Sequence, residues 1–325
     1  VLITEGARGE GGFLVNNKGE RFLANYADSR KAMEVAPRDI ISRNMTKEII
    51  EGRGFEGGYL HLDLRHLGRE KILARLPGIR EICLEFAGID LIDEPIPVQP
   101  GQHYTMGGID CNTECETRIK GFYAAGEAAC VSVHGANRLG GNSLLETLVF
   151  GQIAGDRAAE YVQAKAQREQ GKKALEEALT RTEEKIKKTL NSTGKEQPSK
   201  IRDEMQDLMV KKVGIFRNGK GLKEASEGLR DLKERCRDIK IDYKGRAWNQ
   251  ALAMVIELEG SLDVAEAVVA GALAREESRG SHSRTDFSKR DDQNWLRHTL
   301  CFFTPKGPRL EYSEVRPGPF KIAER

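Results

Sequence analysis

The 325-residue sequence has no apolar run long enough to span a bilayer, and no charged start followed by the apolar middle of a signal peptide. It has no excess of either charge: 52 lysines and arginines stand against 50 acidic residues, a formal net charge of +2. That excludes a global basic field for nucleic acid, and it excludes the acidic excess of a disordered chain. Internal repeats and low-complexity tracts are also missing. Cysteines are few and irregularly spaced: Cys83, Cys111, Cys115, Cys130, Cys236 and Cys301. A chain of this size needs no covalent staples, so they read as reduced thiols of a cytoplasmic-type compartment. Neither a second pair nor a nearby His completes a tetrahedral site around Cys111 and Cys115, so no metal is expected. The chain opens Val1-Leu-Ile-Thr4 without Met, which reads as a processed chain or a fragment.

What is present divides near Gly155. Before it lie glycines, prolines and short strands; after it lie long charged helical segments. Pro37 to Glu51 reads as a helix, with Pro at the first position, Ile41, Met45 and Ile49 at helical spacing, and Gly52 as the stop. Tyr59 to Leu64 alternates and reads as a strand, its other face carrying His61 and Asp63 as solvated residues. Helical segments are expected near Glu70–Leu76 and Pro77–Phe86. The connection Glu94-Pro-Ile-Pro-Val-Gln-Pro100 holds too much proline for a central strand. Gly121 to Gly126 reads as a short buried strand ending at the acid Glu127. A helix follows from Ser143, with Ser143 and Glu146 at capping-box spacing and with Gly151 and Gly155 marking close backbone packing. From Asp156 to about Leu190 the chain reads as helical and highly charged. Further helices over Lys200–Lys212, Gly219–Asp238 and Trp248–Ala274 suit an antiparallel bundle. The tail from Arg275 is loop-rich. Charge runs such as Lys185–Lys188 read as solvated helix faces.

Four segments carry chemistry. In Thr4-Glu-Gly-Ala-Arg-Gly-Glu-Gly-Gly12, glycine lets backbone approach a ligand, and Glu5 and Arg8 can form a charge-assisted pair; a surface ion pair on a flexible loop is the alternative. In Pro37-Arg38-Asp39, Arg38 sits at the helix end where a cation opposes the dipole. It therefore calls for a ligand anion or a protein carboxylate, unless it is simply exposed. His103 precedes a glycine pair in a turn that suits a ligand. In His134-Gly-Ala-Asn-Arg138-Leu-Gly-Gly-Asn-Ser143-Leu144, an arginine among glycines runs into a helix start whose free amides attract negative charge, such as that of a reduced flavin. Upstream, Glu127 at a strand end suits vicinal hydroxyls of a ribityl or ribose group. Arg8, Arg38, Arg138, His103 and His134 together suit a small dianion, which points to a dicarboxylate beside a flavin.

At these segments the sequence resembles the flavoprotein subunit of the succinate dehydrogenase/fumarate reductase family (complex II). The matching strings are Thr4–Gly12, Leu62-Asp-Leu-Arg-His-Leu-Gly68, Glu94-Pro-Ile-Pro-Val98, His103-Tyr-Thr-Met-Gly-Gly108, Gly121–Glu127, His134–Leu145, Glu277-Ser-Arg-Gly280 and Lys289-Arg-Asp-Asp292. The resemblance covers the C-terminal half or so of such a subunit; the family's N-terminal FAD-binding region, with its dinucleotide fold, has no counterpart here. It implies an α+β chain: a partial capping domain over 1–102, a returning segment of a Rossmann-like FAD domain over 103–155, a helical-bundle domain over 156–274 and an irregular C-terminal segment over 275–325.

Carried over residue by residue, the resemblance implies that Arg38 exchanges the proton with the substrate carbon and that Glu5 and Arg8 relay it. Thr4, His103 and Arg138 bind carboxylates; Glu127, Ser143 and Leu144 contact FAD. The reaction implied is hydride transfer between flavin N5 and a C4 dicarboxylate, interconverting fumarate and succinate, with closure of the capping domain excluding water. The implied partners are an iron–sulfur subunit and a membrane anchor with quinone, which places the chain on the cytoplasmic face of the inner membrane, with no nucleic acid involved. L-aspartate oxidase shares the fold and is the alternative enzyme, separated by turnover of succinate but not aspartate. A non-catalytic fragment unable to hold FAD alone is the alternative of another class, separated by flavin colour.

Overall fold

A computed structural model describes residues 2–164, 171–319 and 322. The chain is α+β and divides into two compact units, Val1–Tyr104 and Thr105–Arg325.

The first unit is built on a three-stranded antiparallel sheet of β1 (Phe13–Val15), β2 (Leu60–Asp63) and β3 (Ile96–Val98), in that spatial order. Leu14 pairs with Leu62 and Leu62 with Ile96, so one face of the sheet is apolar and buried. The opposite face carries His61, which packs on the Phe55 ring at 4.0 Å, and Asp63, which binds Arg65. These two side chains thus make structural contacts of their own. Pro97 sits on the edge strand, where its missing N–H costs no ladder bond. Around the sheet lie the single turn α1 (Gly6–Gly9) and the helices α2 (Arg38–Ile50), α3 (Arg69–Arg75) and α4 (Pro77–Ala87). Ile41, Asn44, Met45 and Glu48 recur at helical spacing and form the buried stripe of α2. Pro37 caps this helix rather than starting it.

The second unit opens with a small parallel pair, β4 (Ile109–Asp110) beside β5 (Ala129–Cys130), followed by α5 (Asn142–Ala164) and α6 (Lys172–Leu190). Gly121 to Gly126 is not a strand: Tyr123 makes one isolated bridge, to Glu116, and Gly126 begins a 3-10 turn. Among the described residues no neighbouring strand supplies a ladder for it, and an apolar run without a ladder stays irregular. The helical stretch expected over 156–190 is seen as the end of α5 and as α6; residues 165–170 lie outside the described residues. Gly151 and Gly155 do not mark close packing among the described residues, since apart from the adjoining backbone of their own helix no described atom lies within 4 Å of a Cβ built at either. Their helix instead exposes Leu148 (72%) and Val149 (52%).

Helices α7 (Pro198–Val213), α8 (Gly219–Arg235) and α9 (Gln250–Ala274) share one core, in which Ile201, Leu222, Leu229 and Leu262 are buried. Asn218 caps α8 and Asn249 caps α9, each side-chain oxygen accepting a backbone N–H of the first turn. After the loop from Arg275 come the short α10 (Asp292–Trp295) and an antiparallel pair, β6 (Arg297–Phe302) and β7 (Arg309–Glu314), which the loop-rich reading of the tail missed. No helix among the described residues is long and apolar enough to cross a membrane.

Candidate functional site

In the first unit the glycine-rich segment winds through α1 and buries Ala7 completely, which fixes Glu5 and Arg8 on either side of an anchored residue. Arg38 opens α2, and its Nε donates to Glu5 Oε2 at 2.5 Å, with the two side chains 34% and 39% exposed. Of the partners an N-terminal cation calls for, the protein supplies the carboxylate. The Arg8 guanidinium donates to the carbonyl of Glu34. Burial lowers the pKa of Arg8; Glu5 and Glu34 oppose the shift, whereas the charge of Arg38 adds to it. Glu5, Arg8 and Arg38, drawn from segments 30 residues apart in sequence for Arg8 and Arg38 (38 − 8), therefore form one charge cluster. Thr4 Oγ1 accepts the Gly6 N–H at 3.4 Å. His103 lies exposed in a stretch without regular secondary structure near the end of this unit. Glu34 was not legible beforehand: it is 5% exposed and binds Arg21 while its carbonyl serves Arg8, a link that only folding creates.

In the second unit, Gly108 (φ +143°) lies so close to the next turn that a Cβ there would stand 2.5 Å from the Ala128 carbonyl oxygen. Only glycine permits that approach. Beside it the Thr105 N–H donates to Glu127 Oε1 at 2.9 Å, which orients an otherwise exposed carboxylate. Arg138 is 9% exposed, and its guanidinium donates to the Leu139 carbonyl at 2.9 Å. His134 Nε2 lies 2.7 Å from Glu146 Oε2, with both side chains buried, so the structure engages His134 with a protein carboxylate. This contact also revises the capping-box reading. Helix α5 begins at Asn142, which puts Ser143 inside the first turn, and Glu146 reaches His134. The Ser143 carbonyl accepts the Thr147 hydroxyl at 2.8 Å. Leu144 is 72% exposed.

These residues fit a flavin nucleotide in kind. The first-turn amides of a 23-residue helix suit negative charge, exposed Leu144 offers an apolar surface, and the oriented Glu127 carboxylate suits hydroxyl donors.

Comparison with known proteins gives two matching family models. One, an FAD binding domain, matches residues 1–144; the other, a fumarate reductase flavoprotein C-terminal region, matches residues 202–325. The fumarate reductase flavoprotein subunit of Proteus vulgaris is 44% identical over 331 residues, covering 97% of this chain and 55% of the relative. The 8-methylmenaquinol:fumarate reductase flavoprotein subunit of Wolinella succinogenes is 44% identical over 332 residues, covering 100% and 53%. A solved structure of the E. coli quinol fumarate reductase flavoprotein, a variant with a glutamate-to-glutamine change, superposes with a TM-score of 0.92 at 41% identity, covering 100% of this chain and 58% of that one. The chain thus spans about half the length of the curated relatives it matches.

Proposed function

The chain belongs to the flavoprotein-subunit family of fumarate reductases and succinate dehydrogenases, and from that membership we propose that it carries the proton-handling and carboxylate-binding side of an FAD-dependent enzyme interconverting fumarate and succinate. FAD, when bound, supplies the hydride exchange. Arg38 exchanges a proton with the substrate carbon next to the one that exchanges hydride. Glu5 and Arg8 return Arg38 to its starting protonation state. Thr4, His103 and Arg138 bind the substrate carboxylates through charge-assisted and hydroxyl bonds. Glu127, Ser143 and Leu144 contact the cofactor.

The observation that carries this reading is the Glu5–Arg8–Arg38 cluster. An arginine is ordinarily too weak an acid for proton transfer, its pKa exceeding about 12. Here a carboxylate lies 2.5 Å from the Arg38 Nε, and a second guanidinium is made more acidic by burial and by Arg38 itself. A proton leaving Arg38 toward a basic carbanionic carbon can be replaced along such a chain.

The same reading assigns an iron–sulfur subunit as the electron partner and, through it, a membrane anchor with quinone, which would hold the chain at the cytoplasmic face of the inner membrane. Co-purification of the full-length subunit with both partners tests the assignment. The reaction is tested by Arg38→Ala in the full-length subunit. Fumarate reduction by reduced viologen should be abolished while flavin content is unchanged and aspartate is not oxidised by the unsubstituted protein. Activity near the unsubstituted rate in Arg38→Ala overturns the proton-donor role.

A further inference from the structure

Arg138 lies in the loop between β5 and α5, and that loop is gripped by a segment more than a hundred residues further along the same unit. The Ala136 carbonyl, two residues before Arg138, accepts both the backbone N–H and the hydroxyl of Ser281, each at 3.0 Å. Gly280 presses on the same peptide. Its φ is +58°, and a Cβ there would stand 2.4 Å from the Ala136 carbonyl oxygen and 2.6 Å from its carbon. Glycine is therefore required twice over, by the backbone angle and by the space. Gly280 and Ser281 form the tip of a tight turn closed by reciprocal backbone bonds between Arg279 and His282, at 2.8 and 3.0 Å.

The turn does not float. Arg279 donates to Glu277 at 2.7 and 2.9 Å and to Asp292 at 2.7 Å, and Glu277 is fully buried. On the other strand His282 Nδ1 accepts from Arg217 at 2.9 Å, which ties the turn to the segment entering α8. The grip on Ala136 thus ends in a buried ionic network at the base of the helical bundle. A carbonyl that accepts two bonds from a rigid turn has little freedom to rotate, and the arginine two residues on inherits its direction.

We propose that Gly280 and Ser281 are positioning residues for Arg138: they set the direction in which its guanidinium is offered to a substrate carboxylate. The proposal rests on the carboxylate-binding role given to Arg138 above. A clasp of this kind acts through orientation, so loosening it costs binding of a dicarboxylate before it costs the fold.

The test uses the full-length subunit. Ser281→Ala removes one of the two bonds and should raise KM for fumarate about fivefold, the ~1 kcal/mol of one neutral hydrogen bond, with kcat within about twofold. Amide hydrogen exchange over residues 134–141, measured without substrate, should rise about tenfold as local opening becomes easier. Ser281→Thr keeps the hydroxyl and should restore both readings. Gly280→Ala should reproduce the exchange increase with a larger KM effect. Ser281→Ala with KM and exchange both within about twofold of the unsubstituted protein overturns the proposal. Arg138→Ala separates this from the function itself. Unchanged fumarate turnover in Arg138→Ala sinks the carboxylate-binding role, and the KM effect of the clasp with it, whereas the exchange measurement still reports whether the clasp holds the loop.

Discussion

At the scale of single residues, two carboxylates in the first unit do different work, and their surroundings say which. Glu48 has 1% of its side chain exposed and accepts from Arg53 at 2.7 and 2.9 Å, Asn16 at 2.9 Å and Tyr26 at 2.6 Å. Burial works to raise its pKa, but the hydrogen bonds from Arg53, Asn16 and Tyr26 win and hold it below the usual carboxylate range. The Tyr26 hydroxyl is pushed up to about 12, first by burial, then by its hydrogen bond to Glu48 and by the charge of that carboxylate. Removing Glu48 strands Arg53 and Tyr26, so Glu48→Ala should cost about 3 kcal/mol in urea unfolding, the lower end for breaking a buried pair because Arg53 also reaches water and Glu51. Glu5 is the opposite case. Its pair with Arg38 is more than a third exposed on both sides, where such pairs contribute roughly 0–1 kcal/mol. Glu5→Gln in the full-length subunit should therefore leave the unfolding midpoint nearly unmoved while fumarate reduction falls by about 10²–10⁴, the usual range for losing a proton-transfer group. A large stability loss with intact turnover would assign Glu5 to scaffold and remove the relay.

At the scale of elements, the buried stripe of the helical bundle makes the sharpest forecast. Leu229 of α8 is fully buried in the core it shares with α7 and α9, so Leu229→Ala should destabilise by about 2–5 kcal/mol, read from the denaturation midpoint at constant slope. This core was legible because α9 places Val255, Leu258, Leu262, Ala265, Val269 and Ala272 three or four residues apart, a period the sequence displays openly. The helix from Arg38 and the strand around Leu62 were legible for the same reason. Gly121 to Gly126 was not: an apolar hexapeptide reads as a strand by composition, and only the supply of ladder partners decides the matter. The β6–β7 pair was hidden by the tail prolines Pro305, Pro308, Pro317 and Pro319, although all four lie between or after the strands and the β-forming run Thr299-Leu-Cys-Phe302 carried the signal. In the candidate site the four segments stood out through glycine and charge. Their partners, Glu34 for Arg8, Glu146 for His134 and Ser281 for Ala136, did not, since a bond across a long sequence gap leaves no local pattern.

At the scale of the whole molecule, charge balance removes global repulsion near neutrality, so acid sensitivity is decided by individual groups. Two kinds act in successive windows. His282 is held down to about 4 by burial and then by the positive charge of Arg217, with Arg275 and Arg284 adding to it and the bond to the Arg275 carbonyl opposing. Between its ordinary 6.5 and about 4 the unfolded chain takes up a proton that the folded chain refuses, so stability falls as pH falls through that window and this contribution levels off below it. Glu196, Glu204, Glu224, Asp286 and Asp292 are held below their ordinary values, chiefly by hydrogen bonds from Arg235, Lys212, Arg284 and Arg279. Their contribution is complete above the unfolded carboxylate range and is lost only as pH drops beneath it. Unfolding free energy should thus decline in two legs, a shallow one between pH 7 and 4, of about 3 kcal/mol from His282 with a further share from His61 and His298, then a steeper one. His282→Gln keeps a polar side chain in place without a titrating ring; it should make the first leg shallower, leaving the share of His61 and His298, which burial also holds below their ordinary value, and should leave the second. Because His282 closes the turn that holds Ala136, exchange protection over residues 134–141, taken relative to the intrinsic rate at each pH, should fall as pH drops through the same first window in the unsubstituted protein and stay flat in His282→Gln. A first leg undiminished in His282→Gln would place the mild-acid sensitivity elsewhere and detach it from the Arg138 loop.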